Sequence, residues 1–560
     1  MARITTGLIA WSQAALFCAV LGGIALFQTS CVGLAPVPAS QALNGQVNHI
    51  LFMMQENRTF DSYFGMLNPY RVANKWNIGD DGKTYNVDGI DDKLSTISNM
   101  DDAGQSFSLF KLKSTCIDDD SSAWLQSFGD INRFDFAGNR PILMDGFVHT
   151  AEGYANFCAN PASQCTGGQF TDLVGQRAMG YYDQDYLNYY YYMASQFAVS
   201  DRWFSPVASE SIPNRIATLT GGTTQGLVYS PGSDDHLPQL SIKTIFEEMD
   251  SARASWKIYY SSTNDNCLVG SSNCSNPGSK YPSTTFSFFS YSSKYVYANP
   301  SHGACTAPTT NSGTAVGDPN NDFCIDTMHI VPITQYFKDL QAGTLPDFAW
   351  IEPGYSHTDE HPGSGQSILD GQASVANVIN AFMSSPSYKD SIFFLTYDEG
   401  GGPYDHVPPV PGHTNDNTAS SLGITTDISS IAVNPDSFFP CALVQGSFHC
   451  DLHPNDPGTN PGDAPVAQGF AAQLGFRLPN IVISPFTRKH YVSHIPIDHT
   501  AVIKLVEARF IGASTHLTAR DNAQPDLTDF FDFANKPWAT PPTPPQPVTS
   551  GTCDATNMGP

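Results

Sequence analysis

Short apolar runs that alternate with amphipathic helical patterns constrain this chain more than any other feature. The runs cover residues 48–54, 196–200, 256–260, 348–351, 391–397 and 480–484, and helical patterns occupy 185–195, 242–253, 333–342, 367–383 and 498–510. A strand that is apolar along its whole length, rather than at every second position, is covered on both faces. Such strands alternating with helices predict an α/β fold: a mostly parallel central sheet, helices on both faces, and long loop insertions. In sheets of this kind ligands sit beyond the carboxyl ends of the strands. The residues that follow each run are therefore the place to look for chemistry.

Three polar clusters stand at such places. Glu56-Asn57-Arg58-Thr59-Phe60-Asp61 follows the first run, and Asp398-Glu399-Gly400-Gly401-Gly402, continuing to Asp405-His406, follows the fifth. Two carboxylates, an amide and a third carboxylate at neighbouring strand ends offer the oxygen donors that a hard divalent cation takes. Asp and Asn at strand ends also close turns and cap helices. Two such clusters at corresponding edges favour the site reading, and the three glycines let backbone approach a ligand closely. The third cluster is Ser209-Glu210-Ser211-Ile212-Pro213-Asn214-Arg215, where a serine precedes a helical run and is either a nucleophile or a plain helix cap. His357 and His361 lie in the segment after the 348–351 run, and a histidine there can protonate a leaving oxygen near neutral pH. Arg58 and Arg215 are either phosphate-holding groups or structural ion-pair partners, and they stay outside the catalytic set.

These segments resemble a known family. Glu56–Asp61 is similar to the E-N-R-S-F-D motif of the bacterial phosphoesterases that include phosphatidylcholine-type phospholipases C and related acid phosphatases. Ser211-Ile-Pro-Asn-Arg215 resembles that family's nucleophile segment, and Tyr397-Asp398-Glu399 with Asp405-His406-Val407-Pro408-Pro409 resembles its Y-D-E…D-H-V-P-P stretch. Glu360-His361-Pro362 and Asp498-His499-Thr500 also match, and the motifs run in family order over residues 46–510. The resemblance implies an alkaline-phosphatase-like fold. It implies Glu56, Asn57, Asp398 and Glu399 as ligands of a divalent metal, with Ser211 as nucleophile and fifth ligand. It also implies His361 as a phosphate-binding or acid residue, and Asp145 (in Met144-Asp145-Gly146-Phe147) and His406 as further active-site positions. One segment departs from it: Ser121-Ser122-Ala123-Trp124 stands upstream of Met144 where members of the phospholipase type carry histidine.

Composition bounds the rest. The 27 Lys+Arg against 53 Asp+Glu give a formal net charge of −26, which repels nucleic acid and anionic membrane faces. Arg3 precedes an apolar run over residues 7–27 followed by small residues, so residues 1–42 read as an export signal. Cleavage is the first expectation, a lipid anchor at Cys31 the second, a membrane-spanning anchor the third. Ten of the twelve cysteines lie beyond this leader. Their close spacing in loops predicts the disulfides Cys158–Cys165, Cys267–Cys274, Cys305–Cys324 and Cys441–Cys450, leaving Cys116 to pair with Cys553. Residues 264–321 and 403–467 read as insertions, 43–535 as the catalytic domain and 536–560 as an extended Pro-rich tail.

The expected chemistry is hydrolysis of a small phosphoester or a phospholipid. A coordinated cation makes the Ser211 hydroxyl nucleophilic, a phosphoserine forms, and water releases phosphate. The missing histidine leaves the substrate type open, and the shortness of the chain favours a phosphatase-like member, with phospholipase C activity on phosphatidylcholine-like diesters as the alternative. A sulfatase would need a C-x-P-x-R-type motif, absent around Ser211. A binding protein without turnover would have no use for the intact set Glu56, Asn57, Ser211, Asp398 and Glu399.

Overall fold

In the computed structural model, eight strands form one sheet: β1 (His49–Gln55), β2 (Ala198–Ser200), β3 (Trp256–Tyr260), β4 (Ile330–Pro332), β5 (Phe348–Ile351), β6 (Ser391–Tyr397), β7 (Ile481–Ile483) and β8 (Tyr491–Ser493). Their spatial order is β4-β3-β5-β1-β6-β7-β2-β8. The structure describes residues 43, 45–131, 143–159, 170–222, 243–262, 295–298, 323–363, 365–409 and 474–559. From Val47 onward they belong to one compact unit.

The three central strands are buried almost without interruption: every residue of β5 and β6 and all but the first of β1. Continuous burial explains why these strands read as unbroken apolar runs. β5, β1 and β6 are mutually parallel, with Met53 opposite Ile351 and Gln55 opposite Tyr397. Their carboxyl ends therefore emerge on the same edge of the sheet. The parallel pattern breaks at β7, which runs antiparallel to both β6 and β2. Direction is not written in an apolar run, so the sequence carries no sign of this reversal.

The helices used below are α1 (Phe60–Phe64), α2 (Phe147–Cys158), α3 (Asn188–Gln196), α4 (Ser211–Leu219), α5 (Ile245–Ala252), α6 (Ile333–Ala342), α7 (Ile368–Met383), α8 (Thr500–Val506) and α9 (Ala519–Ala523). Local chemistry sets their ends. Ser367 caps α7 by accepting from Leu369 N, and Thr244 and Glu247 form a capping box at α5. Gly343, at φ 65°, stops α6. The pattern predicted over 498–510 divides into α8 and a π-helical turn, Glu507–Ile511. The predicted insertion at 403 begins later than expected, because Tyr404, Asp405 and Val407 are buried in the domain.

Cys116 and Cys553 form the predicted disulfide, and Cys158 is also disulfide-bonded. The tail lies against the domain: Thr115 N donates to Thr552 O and Asn188 Nδ2 to Gln546 O. Cys165, Cys267, Cys274, Cys305, Cys441 and Cys450, with the apolar run over 7–27, lie outside the described residues. Among the described residues no helix is long and apolar enough to cross a membrane.

Candidate active site

β1 ends at Gln55, and the next two residues turn sharply. Asn57 sits at φ 59°, a left-handed conformation that asparagine adopts more readily than most residues. The turn is clamped from the neighbouring strand end: Asn57 N and Glu399 N both donate to Asp398 Oδ1, at 3.1 and 2.8 Å. Gly401 closes over it. A side chain there would drive its Cβ to 2.5 Å from the Asn57 carbonyl, at a φ of 73° that also favours glycine.

Ser211 arrives from a different direction, as the first residue of α4. Asn214 folds the preceding loop onto the helix, donating to the carbonyls of Ser209 and Glu210 and accepting from Val207 N at 2.8 Å. The residue in the cap position is Glu210, without a side-chain cap bond. Ser211 is thus not a helix cap, and its hydroxyl is used elsewhere. Oγ donates to Glu56 Oε2 at 2.8 Å and reaches Asn57 Oδ1 at 3.3 Å. On the other side of the same amide, Asn57 Nδ2 lies 3.0 Å from His361 Nε2. Glu56 and Asn57 are buried, whereas Ser211 and His361 are partly exposed and so within reach of a substrate.

Arg215, one turn along α4, organises the carboxylates. Fully buried, it pairs with Glu56, with Asp398 at 3.2 Å and with Glu352 at 2.7 Å. Three carboxylates on one guanidinium leave excess negative charge. Burial raises the Glu352 carboxyl to about 7 despite Arg215, and burial with the Glu56 charge raises Asp398 as well. Glu399 is pushed well above the usual carboxylate range by burial and then by Asp398. Its carboxylate accepts from Ser122 Oγ at 2.5 Å and from Gly401 N.

His361 is held by the segment around Glu360. The Glu360 carboxylate accepts from three phenols, Tyr63, Tyr190 and Tyr397, at 2.8, 2.5 and 2.8 Å, and Arg58 donates to its carbonyl at 2.6 Å. Arg58 is a structural brace rather than an exposed cation. Burial disfavours protonation of His361, but the Asp119, Glu56 and Asp359 charges outweigh it and hold its pKa above the usual value.

The structure therefore brings Glu56, Asn57, Ser211, His361 and Asp398 together, with Glu399 beside them. His406 lies in a separate ion-pair cluster, 2.6 Å from Asp61 and 3.0 Å from Asp88, with Arg477 bridging Asp61 and Asp405. Asp145 precedes α2 on the side of Tyr404, whose hydroxyl burial raises first and the Asp145 charge among others raises further. Asp498 holds Arg520 at 2.9 Å, and His499, fully buried under α4 beside Thr218, is pushed down to about 3 by burial. Glu352 and Asp119 were missed by the sequence reading. For Glu352 the signal was present: it is the residue after β5, the position that singles out Glu56 after β1 and Asp398 after β6.

A model of the family described as Phosphoesterase family matches residues 47–511. Phospholipase C B of Mycobacterium tuberculosis is 25% identical over 534 residues, covering 92% of this chain and 82% of that protein. Hemolytic phospholipase C of Pseudomonas aeruginosa is 24% identical over 508 residues, 87% of this chain and 56% of that protein. Non-specific phospholipase C1 of Arabidopsis thaliana is 24% identical over 519 residues, 88% of this chain and 73% of that protein.

Proposed function

The chain belongs to the phosphoesterase family and is a phosphoric ester hydrolase, and from that premise we propose that it is metal-dependent and works through a phosphoserine at Ser211. The observation that carries this reading is the partly exposed Ser211 Oγ, 2.8 Å from Glu56 Oε2 and 3.3 Å from Asn57 Oδ1. The donors fit a hard divalent cation: Glu56, Asn57, Asp398, Glu399 and the Ser211 hydroxyl present oxygen, and the carboxylates carry more negative charge than Arg215 offsets. When bound, such an ion lowers the pKa of the serine hydroxyl and shields phosphate charge.

The protein's own residues supply the remainder. Ser211 Oγ forms the new bond to phosphorus while the bond to the leaving alcohol breaks, and its proton already points at Glu56 Oε2. The amino end of α4 faces the same place and favours developing negative charge there. His361, whose pKa burial lowers but the Asp119, Glu56 and Asp359 charges raise above its usual value, is the residue placed to give a proton to the leaving oxygen. Water then cleaves the phosphoserine, and a proton returns to Ser211.

Phospholipid-type diesters are the substrate class this reading takes, supported by relatives named phospholipases C that match most of the chain. The chain spans 82% of the first of these, which removes shortness as an argument for a phosphatase. A second reading, phosphomonoesters, is supported by Ser122, which bonds Glu399 in the segment where phospholipase-type members carry histidine. We read the enzyme as exported, supported by the Cys116–Cys553 disulfide. Assaying the purified protein on phosphatidylcholine and a phosphomonoester panel, with and without chelator, tests both. Turnover of diesters that chelator abolishes is expected; turnover of monoesters alone selects the second reading; unchanged turnover in chelator rejects the metal.

A further inference from the structure

The π turn after α8, the loop before α9 and the first turn of α9 bring Glu507, His516 and Asp521 together. His516 Nδ1 lies 3.0 Å from Glu507 Oε2 and 3.6 Å from Asp521 Oδ2, and one ligand atom of each residue falls within 4.8 Å of the others. Both carboxylates are fully buried, and the His516 side chain is 15% exposed. Backbone fixes them in place: Leu517 N donates to Glu507 and Asp521 at 2.9 and 3.2 Å, and Thr518 N to Asp521 at 2.8 Å. A π turn in an α-helix is uncommon and tends to occur at functional sites.

A second observation comes from a different element. α5 packs against the π turn and carries Glu248, 4% exposed, whose charge acts on Glu507. One Glu248 oxygen pairs with Lys243 at 2.7 Å, while Oε2, also buried, has no hydrogen-bond partner among the described residues. Three buried carboxylates thus share one lysine, itself largely exposed, and one imidazole. Buried negative charge in such excess calls for a cation.

We propose that Glu507, His516 and Asp521 form a second divalent-cation site, with Glu248 supplying a further carboxylate. One imidazole nitrogen with carboxylate oxygens suits a borderline ion such as zinc rather than calcium or magnesium. The site braces the far end of the nucleophile helix. Thr518 Oγ1 donates to the Gly221 carbonyl at the end of α4, and Arg520 Nη1 donates to the Gly222 carbonyl at 3.2 Å.

The full chain, stripped of metal and titrated with zinc chloride alone, tests this. Glu56→Ala removes a proposed ligand of the active site, so the count does not depend on the catalytic reading. Glu56→Ala is expected to bind one zinc per chain and to gain several degrees in unfolding midpoint on its addition. Glu56→Ala/His516→Gln is expected to lose both the bound zinc and the gain. Should that double variant fail to fold, Glu56→Ala/Glu507→Gln, which keeps side-chain shape, gives the same readout. Glu56→Ala that binds no zinc, or a folded double variant that binds as much as Glu56→Ala, overturns the proposal.

Discussion

Arg215 Nη1 donates to both carboxylate oxygens of Glu352, at 2.7 and 3.0 Å. The same guanidinium reaches Glu56 and Asp398, so one fully buried residue sets the angle of two proposed metal ligands. Removing Glu352 leaves one arm of a buried cation unpaired. Glu352→Ala is expected to lower unfolding stability by about 2–3 kcal/mol, somewhat less than a full buried-pair loss because two partners remain. Denaturant unfolding checks this. A variant as stable as wild type would mean the pair only relieves its own desolvation.

Ser211→Ala should cut turnover by at least roughly a thousandfold while the unfolding midpoint scarcely moves. No cap bond is lost, since the cap position belongs to Glu210. Quenching wild type with labelled phosphoester should leave phosphate on the peptide containing Ser211. A variant within tenfold of wild type, with no trapped label, would make water the nucleophile.

Glu56→Ala and Asp398→Ala should each abolish turnover and lower affinity for the active-site cation. Neither change opens the hydrophobic core, because both side chains lie beyond the strand ends. Metal titration followed by phosphoester assay reads both effects. Full activity in metal-stripped Glu56→Ala protein would defeat the assignment.

His406 gives a pH signature. Burial opposes its protonation, but Asp61 and Asp88 outweigh burial and raise it to about 9. Its folded pKa thus exceeds the unfolded value near 6.5. The linked stability, roughly 3 kcal/mol, is fully present below pH ~6.5 and is lost as pH climbs through ~9. Urea unfolding at pH 6 and pH 9.5 should show that fall in wild type and a flatter profile in His406→Gln. Equal slopes would remove His406 from the titration.

Cys553→Ser should release the tail without unfolding the sheet. Asn188, which bonds both Gln546 O and Val548 N, the Ser114–Thr552 bridge and the bond from Lys113 N to Met558 O are among its other anchors. Limited proteolysis should cleave beyond residue 540 in the variant and spare wild type under non-reducing conditions. Identical digestion patterns would show that packing alone holds the segment.

The strands the sequence made plain are those buried on both faces. β3, β5 and β6 match the apolar runs residue for residue, with Lys257 the one charged residue among them. β4 and β8 escaped notice at the two edges of the sheet, where three residues suffice and a run that short carries no periodicity. The π turn escaped for a related reason: the apolar spacing over 498–510 satisfies a continuous helix, and only the Glu507–Ile511 backbone departs from it. At the site, motif and strand-end position led to Glu56, Asn57, Ser211, His361 and Asp398. The partnership of Arg215 with Glu352 depends on which strands lie side by side, and no linear spacing encodes that.

Glu56 and Asp398 each leave the sheet one residue after the paired positions Gln55 and Tyr397. Adjacent strands stand about 4.8 Å apart, a distance set by backbone hydrogen bonding. The spacing of these two strand ends is therefore the pitch of the sheet itself. No side-chain substitution can widen it, and no loop motion can narrow it. Fitting the proposed cation site to a larger or smaller ion would therefore fall to side-chain reach and to donors outside these two strands, while a new substrate could be accommodated by rebuilding the surrounding walls alone.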